Sequence, residues 1–264
     1  MTGEERAGFP FRAFVPNAIT ALALCFGLTG VRFGITGDWP QALACIVGAG
    51  VLDGFDGRIA RLLKAQSKFG AELDSLSDNI AFGTAPALIV FLWSLQEAPR
   101  FGWFAALALA VCCALRLARF NARIDADFQP HKSAGFNTGV PAPVGAGLAF
   151  VPIYLWLISG NELFRSWQLV LPWILFIALL MISSVPTYTW GSIRIRRGWR
   201  LFALAGVALL GAALLSAPWI TLLAISAIYL ALLPFSIAGY AAVKRRRAVQ
   251  TAGSAPVPPP YAAD

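Results

Sequence analysis

Apolar residues run through this chain in long unbroken stretches, without the one-face spacing of a soluble helix or the alternation of a half-buried strand. Uncharged segments cover 13–31, 39–52, 79–96, 101–115, 133–161, 166–193 and 201–243. Several continue past a single charge to about 20 residues, enough for a helix rising about 1.5 Å per residue to cross a hydrocarbon core about 30 Å thick. The last segment, 43 residues long, is too long for one crossing. Ser216-Ala217-Pro218 divides it, because proline disfavours helix at the residue before it. The pattern predicts an all-α, polytopic membrane bundle of about eight transmembrane helices. They fall near 14–36, 40–63, 71–95, 100–121, 139–159, 166–186, 200–216 and 218–241.

Composition closes off the alternatives. The chain is 58% apolar and 13% charged, against about 45–50% and about 25% for an ordinary soluble domain, which excludes a soluble globule. Its 264 residues leave room for one membrane domain, 14–243, between a short N-terminal segment, 1–13, and a tail, 244–264. Of the 21 Lys and Arg, 18 fall in the two tails and in the even-numbered connections; only Arg32, Arg100 and Arg165 fall on the other side. The positive-inside rule then places both termini in the cytoplasm. The net charge of +8 marks that face, and no basic stripe interleaved with exposed aromatics points to nucleic acid. Cys25, Cys45, Cys112 and Cys113 lie in apolar runs without metal-site spacing and read as reduced core residues. The first 14 residues hold two acids and no small-residue cleavage site, so the first span is expected to be retained. The tail beyond the Lys244–Arg247 cluster, AVQTAGSAPVPPPYAAD, is expected to be disordered. No repeat and no inverted pair of broken apolar segments favours a transporter.

In so uncharged a chain the acids carry the information. Five of 13 lie between 53 and 78, and Asp53, Asp56, Asp74 and Asp78 fall in segments that otherwise read as membrane helix. Ionisable groups there are costly and functional by default. Spacings of three and four put each pair on one helix face. The short link around 64–70 makes the two helices antiparallel neighbours whose acids meet at similar depth. Four carboxylates together repel one another unless cations lie between them, and oxygen donors of this kind suit Mg²⁺, Mn²⁺ or Ca²⁺ better than Zn²⁺. The competing reading is an ion-pair network with Arg58, Arg61, Lys64 and Lys68. Gly54, Gly57 and Gly70 permit close approach of either a helix or a ligand's phosphates.

The whole segment reads Asp53-Gly-Phe-Asp56-Gly57-Arg-Ile-Ala60-Arg61, eight residues, Gly70, three residues, Asp74, three residues, Asp78. It resembles the CDP-alcohol phosphotransferase motif, D-x2-D-G-x2-A-R-x8-G-x3-D-x3-D, with every defining position filled. Pro16-Asn17 with Thr20, ALRLARFN at 114–121 and FNTGVPAP at 136–143 extend the resemblance over about 14–190, toward the members that use L-serine. Arg58 is an additional base among the variable positions.

The resemblance implies a bacterial cytoplasmic-membrane enzyme, homodimeric as many relatives are, with its site on the cytoplasmic side. It would move a phosphatidyl group from CDP-diacylglycerol to L-serine, giving phosphatidylserine and CMP, with two divalent ions, Mg²⁺ or Mn²⁺, per site. It implies Asp53, Asp56 and Asp74 as metal ligands and Asp78 as general base, metal ligand or both. Gly57, Gly70 and Arg61 would meet the nucleotide phosphates, with Thr20 and Ser67 as polar contacts. Arg116, Arg119 and Asn121 would hold the acceptor, while His131, the sole histidine, reads as solvated. A sister transferase using inositol or glycerol phosphate, and a divalent-cation carrier, are the competing functions.

Overall fold

The computed structural model describes residues 11–98, 100–124, 136–183, 186–188 and 200–253. Helix follows apolarity throughout them. In chain order the helices are α1 (Phe11–Ile35), α2 (Trp39–Leu62), α3 (Lys68–Asp78), a π-helical turn (Asn79–Thr84), α4 (Ala85–Trp93), α5 (Phe101–Ile124), α6 (Ala142–Ala149), α7 (Val151–Ser159), α8 (Trp167–Ile182), α9 (Arg200–Ser216) and α10 (Pro218–Gly253). The α3–π–α4 run forms one continuous rod and α6–α7 another, so a helical rod occupies each apolar stretch. Five are long and apolar enough to cross a membrane: Phe14–Ile35, Lys68–Trp93, Phe101–Ala122, Ala142–Ser159 and Pro218–Ser236. Trp167–Ile182 and Leu201–Ser216 are apolar but shorter. The 24-residue α2 has the length, but Asp53, Asp56, Arg58 and Arg61 lower the hydropathy of its second half.

Two features depart from the sequence expectation. Helix α10 runs to Gly253, through the basic cluster and into the segment expected to be disordered; its Ala, Lys, Arg and Gln are good helix formers, and the preceding turns remove the nucleation cost. Residues 254–264 lie outside the described ones. Two three-residue strands, β1 (Phe136–Thr138) and β2 (Pro186–Tyr188), also pair antiparallel, with Asn137 opposite Thr187. They join the connections that flank α6–α7 and α8.

The core lies among α1, α2, the α3–α4 rod, α5, α6–α7 and α8, and includes Leu43, Phe82, Ile89, Trp93, Phe150, Tyr154 and Ile174. Outward faces are also apolar: on α9, Leu201, Phe202, Leu204, Val207, Leu209 and Leu215 are all exposed. On a membrane helix that surface faces lipid.

Helix α1 is the common neighbour of α2 and the α3–α4 rod. Gly27, Gly30 and Gly34 make this possible. A Cβ on Gly30 would meet the Ala42 carbonyl oxygen of α2 at 3.0 Å, and one on Gly27 would meet Ala81 Cα at 2.9 Å. Small residues at such crossings let backbones approach and gain dispersion contacts that lipid does not replace. Gly27→Val is therefore expected to lower stability by about 1–3 kcal/mol through overpacking, seen as a lower melting temperature in detergent. Gly206→Ala, where an added Cβ meets nothing within 4 Å, should leave it unchanged or raise it slightly.

Candidate active site

The acid-bearing ends of α2 and α3 are brought together by a tight reversal. Past Leu62 the Lys64 backbone takes φ +51, with its N–H bonded to the Arg61 carbonyl 3.2 Å away. A left-handed residue at this point is the usual way to stop a helix. Ser67 then opens α3 as N-cap, its Oγ accepting the Gly70 N–H at 3.0 Å. Five residues, Leu63 to Ser67, thus turn the chain back.

Carboxylate oxygens of Asp53, Asp56 and Asp74 consequently lie within 4.8 Å of one another. Asp78, one turn beyond Asp74, stands outside this trio and shares a hydrogen bond with Asp53. Asp56 is 5% exposed and receives the Thr20 hydroxyl of α1 at 2.7 Å. That hydroxyl also lies 3.1 Å from the Pro16 carbonyl; the shorter, charge-assisted contact takes the proton. Ser77 Oγ donates to the Thr20 carbonyl at 3.1 Å, fastening α3 to the same turn of α1. The antiparallel-neighbour expectation for α2 and α3 thus needs a third member: α1 packs on both and supports the acids.

Among the described residues no ion-pair network forms with Arg58, Arg61, Lys64 or Lys68: the carboxylates interact with one another, with the Thr20 hydroxyl and with the Gly57 N–H, and the base that acts on Asp78 is Arg116. Three convergent oxygen donors with no compensating base fit a hard divalent cation. Space is available too, because a Cβ on Gly54 or Gly57 would meet nothing within 4 Å. Asp53, Asp56 and Asp74 are the residues that would hold such an ion.

The remaining residues of the sequence reading fall into different surroundings. Gly57 and Arg61 are exposed on the last turns of α2. Gly70 lies against Asn17, whose Oδ1 would be 2.9 Å from an added Cβ, so its small size serves the α1–α3 contact. Ser67 is occupied as N-cap. Asn121 Nδ2 donates to Ser75 Oγ at 2.8 Å, linking α5 to the turn between Asp74 and Asp78. Arg119 Nη2 donates to the Ile182 and Ser183 carbonyls at 2.8 and 3.1 Å, capping the C-terminal end of α8. Arg116 is largely buried and interacts electrostatically with Asp78 and Cys113. His131 lies outside the described residues. Ser75, Ser77 and Asn79 adjoin Asp74 and Asp78 in α3 and the π-helical turn, outside the expected site residues; their only signal was polarity within an otherwise membrane-like segment.

Thr20 would therefore act on a cation held by the trio through its bond to Asp56. Thr20→Val keeps the shape and removes the donor, and outer partners of this kind are worth about 10–100-fold in metal affinity. The half-saturating Mn²⁺ concentration of the variant is expected to rise by about that factor; an unchanged titration would make the Thr20 contact merely structural.

Fold and site together define an α-helical membrane protein with a partly buried oxygen-donor centre suited to a divalent cation. Comparison with known proteins specifies it further. The CDP-alcohol phosphatidyltransferase family matches residues 13–182, and the family described as CDP-alcohol phosphatidyltransferase 2 matches residues 198–234. Relatives named CDP-diacylglycerol–serine O-phosphatidyltransferase include those of Mycobacterium leprae, 37% identical over 84% of this chain and 74% of the relative, and Mycobacterium tuberculosis, 36% identical over 84% and 78%. The Helicobacter pylori protein of that name is 33% identical over 64% of this chain and 70% of its own. The chain belongs to the CDP-alcohol phosphatidyltransferase family.

Proposed function

We propose that this chain is an integral-membrane phosphatidyltransferase that makes phosphatidylserine and CMP from CDP-diacylglycerol and L-serine. The observation that carries the reading is the convergence of Asp53, Asp56 and Asp74 within 4.8 Å, with no base acting on them among the described residues, in a chain whose named relatives are serine phosphatidyltransferases. All eight rods cross the bacterial cytoplasmic membrane, both termini and the acids lie on the cytoplasmic side, and the chain works as a homodimer. Basic residues at the acid-bearing ends of the helices support that orientation.

The serine hydroxyl oxygen forms a bond to the phosphorus that carries diacylglycerol, and the bond from that phosphorus to the CMP phosphate breaks. Asp78 takes the hydroxyl proton, as an ionised carboxylate at the edge of the trio, one turn beyond Asp74, is placed to do. Divalent ions, two per site and Mg²⁺ or Mn²⁺, would neutralise the pyrophosphate and the leaving group when bound. Asp53, Asp56 and Asp74 hold them, with Asp78 contributing to the same charge cluster. Gly57 leaves backbone room for the phosphates, and Arg61 pairs with one of them. Thr20, Gly70 and Ser67 fix the frame against which the nucleotide lies. Arg116 binds the acceptor carboxylate, while Arg119 and Asn121 lock α8 and α3 around it.

Purified protein in detergent, given CDP-diacylglycerol, Mg²⁺ or Mn²⁺ and a panel of alcohols, tests the reading. Release of CMP and formation of phosphatidylserine should require both metal and L-serine. A product only from inositol or glycerol phosphate would move the chain to another acceptor; metal flux without CMP would make it a carrier.

A further inference from the structure

Two largely buried polar atoms beside Asp78 have no hydrogen-bond partner among the described residues: Asn79 Oδ1 and Arg116 Nε. Asn79 opens the π-helical turn, and the Thr84 hydroxyl bonds its main-chain carbonyl at 3.3 Å. The side-chain oxygen is left outside the helix's own bonding. It lies 3.2 Å from where a Cβ on Gly83 would stand, and Cys113 Cβ and Sγ lie 2.9 and 3.0 Å from that same point. Asn79 Oδ1 and Cys113 of α5 therefore both crowd the open side of Gly83. Arg116 sits one turn further along α5, in electrostatic contact with Cys113 and with Asp78.

An acceptor lacking a donor thus sits on the residue after Asp78, and a donor lacking an acceptor belongs to the α5 base that acts on Asp78; leaving either buried and unpaired is costly. A neutral polyol would bring Arg116 Nε no charged acceptor. A phosphorylated alcohol would pair with Arg116 but bring only a hydroxyl to Asn79. An α-amino acid supplies an ammonium donor and a carboxylate acceptor on adjacent bonds, so both contacts are charge-assisted. We propose that Asn79 is a specificity residue whose Oδ1 accepts a hydrogen bond from the acceptor's α-ammonium, while Arg116 holds its carboxylate and Asp78 faces its hydroxyl. The inference deepens the proposed function and rests on it.

Single-charge analogues separate the two contacts. In detergent, with Mn²⁺ and saturating CDP-diacylglycerol, the KM for L-serine is measured along with inhibition by ethanolamine, which lacks the carboxylate, and by 3-hydroxypropanoate, which lacks the ammonium. Asn79→Ala is expected to raise the serine KM and the ethanolamine inhibition constant about tenfold or more, the loss of a hydrogen bond to a charged group. Inhibition by 3-hydroxypropanoate, the KM for CDP-diacylglycerol and the melting temperature should stay unchanged. Arg116→Gln should show the reverse selectivity, weakening 3-hydroxypropanoate and sparing ethanolamine. Asn79→Asp, which retains the acceptor oxygen, should keep serine affinity. A serine KM unchanged in Asn79→Ala, or equal weakening of both analogues, overturns the inference while phosphatidylserine formation by the native protein still upholds the proposed function. Absence of a serine product from the native protein overturns both.

Discussion

Asp74→Asn should reduce CMP release by on the order of a thousandfold. The exchange preserves shape and removes one of three charges that converge within 4.8 Å. Metal stabilisation of phosphoryl charge is worth several kcal/mol, and each 1.36 kcal/mol is about tenfold in rate. Asp74 comes from a different helix than Asp53 and Asp56, so its loss opens the trio instead of merely thinning it. The check is CMP release at increasing Mn²⁺, which should recover only part of the activity. Full turnover at ordinary metal concentration would remove Asp74 from the ligand set.

Asp78→Asn should lower kcat by about 10²–10⁴-fold, the range for loss of a general base, and here the metal titration distinguishes roles. Asp78 stands outside the convergent trio and bonds to Asp53. A base would therefore leave the half-saturating Mn²⁺ concentration near its native value while kcat falls. A shift of about tenfold or more in that concentration would instead make Asp78 a ligand, since metal affinity responds on that scale even to outer partners. The two variants thus predict opposite metal behaviour from acids only four residues apart.

The acid segment was legible because its physics is local. An aspartate in an apolar helix is costly wherever the helix goes, so Asp53, Asp56, Asp74 and Asp78 declare themselves without a fold. Arg119 shows the opposite case. A base at the end of a membrane helix looks like a headgroup anchor, and only the position of α8, 63 residues further on, reveals a cap on the Ile182 carbonyl. Ser67 and Gly70 carry a similar lesson: cap and close-packing site are fixed by what α3 and α1 bring near them. Asn79 was silent because one amide beside an essential acid adds little to the pattern. Its meaning depends on the π-helical turn and on α5 lying against Gly83.

By itself the sequence determined that this is a helical membrane protein, which apolar stretches form its helices, and that its acids lie where only a special role makes them tolerable. Each follows from the free energy of placing particular groups in hydrocarbon, which is set residue by residue. Only the tertiary structure decided that three of the acids converge, that Thr20 of α1 bonds Asp56 across 36 residues, and that Asn79 Oδ1 and Arg116 Nε are buried without partners among the described residues. Those depend on how close the helices approach and how each is rotated about its axis. Packing of small residues such as Gly27 and Gly30 governs both, and no single residue's transfer energy encodes them.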